Sequence, residues 1–306
     1  MRARLEARLS QELWQILPSV LVGFCERLQE RVFRDPGSEP LRRAPEPGEV
    51  ADDPVGPMFL GSPVHPQVAM VGRSLAVVPV HGVLGRNWSL EEALFFGGYD
   101  LSLLDEQLQN IAEDEEVTTV VLDIRSPGGL AGEWEETVDL LREIRAGTGQ
   151  AFVAYTSELC ASAAMPLAYG CESFFVSPSS QVGSMGTITS GIDSSGAFER
   201  VGLQRIVVSS GSLKALGMPG KKWTEEEVDY LRGQVAEFHA SYRAELTRDR
   251  DLPEEVFATA AVYRGKTAPA GVHDGITPRL ERLVELLLGG DLTGRERRND
   301  DQRSMG

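Results

Sequence analysis

Residues 117–124 read VTTVVLDI, a near-continuous apolar run without alternation. A strand with one wet face alternates. A run apolar throughout is covered on both faces, as in parallel sheets flanked by helices. Ser126-Pro127-Gly128-Gly129 follows directly. Next comes a helical pattern over 133–146, with Trp134, Val138 and Leu141 on one face and Gly147 placed as its cap. Residues 74–80, 151–155, 173–176 and 205–209 read as further strands. Residues 102–115 read as a helix opened by Ser102 and Asp105. Residues 224–248 read as a long helix opened by a capping box, Thr224 with Glu227. Strand alternating with helix predicts an α/β domain with a mostly parallel sheet and crossover helices.

The rest of the chain divides around this pattern. Residues 36–66 hold eight of seventeen prolines, too many for any regular element, and read as a linker. Before it, Leu13 to Phe24 reads as an amphipathic docking helix. At about twelve residues it is too short to span a membrane, and Glu6 and Glu12 break a signal-peptide pattern. The predicted organisation is a helical arm (1–35), a linker (36–69), a main domain (70–288) and a solvated tail (289–306). With 30 Lys and Arg against 46 Asp and Glu, the net charge is −16. That argues against non-specific nucleic-acid or anionic-membrane binding, which needs a basic face. Cys25, Cys160 and Cys171 are too few for a disulfide framework and show no metal spacing, so they read as buried thiols in a reducing compartment.

Two places could carry chemistry. Gly128 and Gly129 lie at the carboxyl end of the apolar strand, where backbone N–H groups can face a ligand and hold an oxyanion. Ser162, in Cys160-Ala161-Ser162-Ala163-Ala164-Met165-Pro166, precedes a helix, because Pro166 fits only a first turn. It reads equally as a nucleophile or as an N-cap. Ala163 could supply a second oxyanion N–H. A serine nucleophile needs a base. The candidates are four histidines (His65, His81, His239, His273) and four lysines (Lys214, Lys221, Lys222, Lys266). None of the histidines has a nearby acid at a telling spacing. Lys221, Lys222 and Lys266 read as turn residues. Lys214, in SSGSLK past the strand 205–209, would lose hydration at a buried strand end, which favours the neutral amine.

The order SPGG, CASAAMPLA, GSMGT (183–187), SGSLK and TEEE resembles the signal peptide peptidase A family of serine–lysine peptidases over about residues 70–280. The segments VYRGK (262–266) and GVHDG (271–275) are similar to its closing motif. The resemblance implies a Clp-protease/crotonase-like fold. It implies Ser162 as nucleophile, Lys214 as general base, and Gly129 with Ala163 as the oxyanion hole. It calls for no cofactor or metal. Clp proteases carry a histidine about two dozen residues after the serine, and 183–187 has none, in keeping with a Ser–Lys pair. Arg125 departs from the Asn of many relatives. Within the family the chain looks most like the phage head-maturation proteases, through the Leu13–Val22 segment, the Pro-rich linker and VVPVHGVL (77–84).

The expectation is therefore an endopeptidase acting on scaffold, portal or capsid polypeptides inside a phage prohead in a bacterial cytoplasm. It would be a homo-oligomer without a membrane span, its scaffold a separate protein. Three rivals stand beside it: an anchor-less host quality-control peptidase, a non-catalytic capsid assembly protein, and a crotonase-like acyl-CoA enzyme using the same glycine amides.

Overall fold

The computed structural model describes residues 14–16, 68–88, 93 and 97–290. The strands are β1 (Trp14–Ile16), β2 (Ala69–Val71), β3 (Leu75–His81), β4 (Val83–Gly85), β5 (Gly98–Asp100), β6 (Thr119–Arg125), β7 (Gly128–Leu130), β8 (Ala151–Thr156), β9 (Leu159–Ala161), β10 (Ser173–Val176), β11 (Gln181–Gly183), β12 (Val262–Arg264) and β13 (Gly275–Ile276). The α-helices are α1 (Leu101–Ala112), α2 (Glu135–Thr148), α3 (Ala164–Gly170), α4 (Ser195–Arg200), α5 (Glu225–Leu246), α6 (Glu254–Thr259) and α7 (Leu280–Leu288).

The main sheet runs β13-β10-β8-β6-β3-β2, and all its pairs are parallel except β2–β3. β6 lies inside it, in register with β3 from Thr119–Leu75 to Arg125–His81. Its side chains alternate between two cores. Val120, Leu122 and Ile124 join Leu104, Val138 and Leu167 of the helices α1, α2 and α3. Val121 faces the other way and packs with Tyr155, Phe175 and Leu283 of α7. Both faces are covered, so the run lacks alternation. This is the predicted mixed α/β architecture with a mostly parallel sheet.

A four-stranded sheet, β1-β7-β4-β5, and a three-stranded one, β12-β11-β9, sit at the carboxyl ends of these strands. β7 grows from β6 through Ser126 and Pro127. Ser126 is tied to β9 by a parallel bridge to Cys160, so the two small sheets meet there.

Local details depart from the sequence reading. Asp100, not Ser102 with Asp105, caps α1, its carboxylate accepting from the Ser102 N–H at 2.9 Å. Asp105 instead binds Arg86 at 2.7 Å. α2 runs past Gly147 and ends at Gly149, in the left-handed region at φ 73°. The capping box of α5 forms in both directions between Thr224 and Glu227. Residues 205–209 form no strand; the backbone over 203–209 is irregular and mostly exposed. Apart from a single bridge at Ile188, the segment 188–223 holds only α4 and a short 3-10 turn, too little apolar packing to enforce a strand. The arm reading is also corrected where it can be seen. Residues 14–16 form an antiparallel strand on β7 rather than a helical turn, because they complete a sheet edge. The remaining residues of the arm, the linker up to 67 and the tail from 291, with Cys25 and His65, lie outside the described residues.

Candidate active site

The site assembles where β6 and β9 end side by side. The Ser126 N–H donates to the Leu159 carbonyl at 2.8 Å, and the Ala161 N–H donates to the Ser126 carbonyl at 3.0 Å. These bonds place Ser162 next to the SPGG segment. Within that segment the Gly128 N–H donates to Ser126 Oγ at 3.1 Å. Gly128 has φ 101°, open to glycine alone. Gly129 is fixed by crowding: a Cβ there would lie 1.8 Å from the Leu84 carbonyl oxygen of β4. Gly128 is thus demanded by its backbone conformation and Gly129 by the packing of β7 on β4, before any ligand is considered.

Ser162 lies between β9 and α3 with φ 54°. A non-glycine residue in this region carries strain, which persists only where the surroundings over-determine it. Here they do. Its N–H donates to the Gly183 carbonyl at 2.8 Å, and its carbonyl accepts from the Tyr242 hydroxyl at 2.8 Å. The Met165 N–H closes the first turn on the same carbonyl at 2.9 Å. Ser162 Oγ lies 3.5 Å from the Gly186 carbonyl. The Ala163 N–H, at the start of α3, has no hydrogen-bond partner among the described residues. The serine is 1% exposed, more enclosed than a reachable N-terminal hydroxyl implies.

Sequence reasoning missed Tyr242. It is buried on α5, edge-on to Trp134 at 5.9 Å. Burial pushes its phenol well up, so it stays a hydrogen-bond donor to the elbow. The GSMGT motif also gains a structural meaning. β11 pairs with β9 in parallel, and its last residue, Gly183, receives the Ser162 amide.

Lys214 sits elsewhere in character. It lies in the 3-10 turn Ser212–Ala215 and is exposed, because the strand that was to bury it does not form. Its Nζ has no hydrogen bond or ion pair among the described residues. Lys221, read as exposed, is instead held at 2.5 Å from the buried Glu227 carboxylate. Lys222 and Lys266 are exposed.

The histidines divide likewise. His81 does have an acid: Nε2 lies 3.0 Å from Asp123 Oδ2, a pairing across neighbouring strands that sequence spacing hides. Asp123 alternates with Leu122 and Ile124, so this couple faces the α7 side, opposite the core that holds Ala163. His239 stacks near Tyr242 and Phe257, and burial lowers its affinity for a proton. His273 Nε2 is bonded to the Gly265 carbonyl at 2.9 Å. Cys160 and Cys171 are buried thiols as expected, and burial pushes Cys171 up to about 12.

No helix among the described residues is long and apolar enough to cross a membrane. Residues 146–272 match the model of Peptidase family S49, a span that includes Ser162 and Lys214 but not Gly129. The chain is 27% identical over 177 residues to a putative signal peptide peptidase SppA of Enterococcus faecium, covering 57% of the chain and 50% of the relative. It is 29% identical over 222 residues to the head-tail preconnector protein GP5 of Enterobacteria phage P21 (70% and 42%). It is 26% identical over 218 residues to the capsid assembly protease C of Escherichia phage lambda (70% and 49%). The chain spans about half the length of these relatives. Similar solved structures include an enoyl-CoA hydratase of Mycobacterium smegmatis, at TM-score 0.42, 14% identity and 73% and 75% coverage. A mutant of the 1510-N membrane-bound stomatin-specific protease follows at 0.34, 12%, and 71% and 85%. Residues 146–272 thus match peptidase family S49, and over a longer span the chain resembles the signal peptide peptidase A family and its phage capsid-assembly members.

Proposed function

We propose that the chain is a serine endopeptidase with Ser162 as nucleophile and Lys214 as general base. The observation that carries this reading is the backbone of Ser162. It is held at φ 54° between a strand and a helix, fixed on both sides, beside the Gly128–Leu130 strand. Such a turn aims a hydroxyl away from its own strand and helix. A peptide carbonyl meets Ser162 Oγ, and the developing oxyanion is held by the N–H groups of Gly129 and Ala163. Neutral Lys214 takes the hydroxyl proton and returns it to the leaving amine. Water then releases the acyl group.

Lys214 needs a drier setting than one chain offers it. The segment around it exposes Ile192, Val201, Leu203, Ile206 and Val208, the last 95% exposed. An apolar surface of this kind favours a homo-oligomer in which a second copy covers it. The capsid assembly protease among the relatives supports scaffold, portal or capsid polypeptides as substrates during prohead maturation.

The test is digestion of casein by the intact chain, Ser162→Ala and Lys214→Ala, read by mass. Cleavage by the intact chain and loss in both variants supports the dyad. Cleavage surviving Ser162→Ala overturns it.

A further inference from the structure

β7 has two edges. β4 holds one, through Leu84 and Gly129. The other is filled by the chain's own backbone: Trp14 pairs with Leu130, Gln15 with Gly129 and Ile16 with Gly128, all antiparallel. β7 follows directly on Ser126, which is bonded to the strand that leads into Ser162. An extended polypeptide that brings a carbonyl to Ser162 and the Gly129 amide runs beside β7, and the cheapest way to do so is to add as a strand. That strand position is already taken.

We propose that Trp14–Ile16 is a resident peptide on the substrate edge of β7, competing in cis with the polypeptide to be cut. The inference rests on the peptidase reading for its consequence, but the occupancy stands on the pairing alone. The segment belongs to the same chain as the edge it fills, so its pairing competes with substrate intramolecularly. The pairing is only three residues long, and each cross-strand pair contributes little. The segment therefore exchanges with substrate rather than blocking the site for good, and it keeps an unpaired edge from recruiting other chains. Dilute or folded polypeptides are disfavoured, while substrates at high local concentration displace it.

The experiment uses the full chain carrying Ser162→Ala, so nothing is cut. A fluorescein-labelled peptide of residues 10–20 (SQELWQILPSV) is titrated against it and read by fluorescence anisotropy. The same titration is run with Trp14→Pro, Gln15→Pro and Ile16→Pro added, since proline cannot donate to the ladder. About fivefold tighter binding to the proline chain is expected, with a scrambled peptide binding neither. Equal affinity for both chains, or binding to neither, overturns the proposal. In chains with Ser162 intact, the proline variant should cut casein with a KM lowered about fivefold. A gain in peptide binding with no cleavage by any chain keeps the occupancy and sinks the peptidase reading. Cleavage with unchanged KM and unchanged peptide binding sinks the occupancy alone.

Discussion

The elbow at Ser162 and the segment 188–223 that carries Lys214 are opposite kinds of structure. Around Ser162, residues 160–171 are all buried, β9 pairs with β11 on one side and bridges to Ser126 on the other, and Tyr242 reaches in from α5. Around Lys214 the backbone is irregular, and the large apolar side chains Ile206 and Val208 are 83% and 95% exposed. One half of the proposed dyad is folded by the chain's own core. The other half rides on a segment that buries little within the chain. The contrast implies that nucleophile geometry is a property of the monomer, while base geometry depends on what covers the segment.

The largest test of that contrast is chemical. Ser162→Ala and Lys214→Ala should each lower the cleavage rate roughly a thousandfold or more, with no fall in melting temperature for Lys214→Ala. A large fall there would mean the lysine segment is core after all. Gly129→Ala places a Cβ 1.8 Å from the Leu84 carbonyl. It should destabilise by about 3 kcal/mol in urea unfolding, through overpacking. Lys221→Ala leaves Glu227 buried without its ion pair and should cost about 2 kcal/mol. Burial by itself raises the Glu227 carboxyl, but Lys221 and Thr224 outweigh it and hold it below the usual 4.5. Its contribution is therefore present above about pH 4.5 and lost as pH falls further. The variant's deficit should shrink in acid, measured by unfolding at pH 7 and pH 3. Tyr242→Phe removes the donor to the Ser162 carbonyl and should cost about 1 kcal/mol. Its loss of rate should exceed that of a remote core variant of equal stability. The smallest effect on stability, within about 0.5 kcal/mol, belongs to Val208→Asp. Sedimentation should nevertheless show a smaller species with reduced cleavage.

Legibility followed the same divide. The core strands were readable because apolar runs with both faces covered leave a plain signal. β10 falls on 173–176 and the α5 capping box on Thr224 and Glu227, as predicted. The run 205–209 carries the same local signal as a strand, but no neighbouring strand takes it up, and periodicity cannot report a missing partner. The Asp123–His81 couple and the Tyr242–Ser162 bond join residues 42 and 80 positions apart, which no local spacing reveals. Residues 14–16 show the reverse error: an apolar stretch read as helix takes the shape of the edge it completes.

The bond from Tyr242 makes α5 a ruler. From its cap at Thr224 to Tyr242 the helix measures about 27 Å at 1.5 Å per residue. Deleting one residue between them would turn the phenol by about 100° and draw it back a step, taking the donor off the serine carbonyl. Chain length between Thr224 and Tyr242 is therefore fixed to the residue. Across 203–209, where the backbone is irregular and exposed, insertions and deletions have no such register to lose. Natural length variation among homologues should crowd into the second stretch and spare the first.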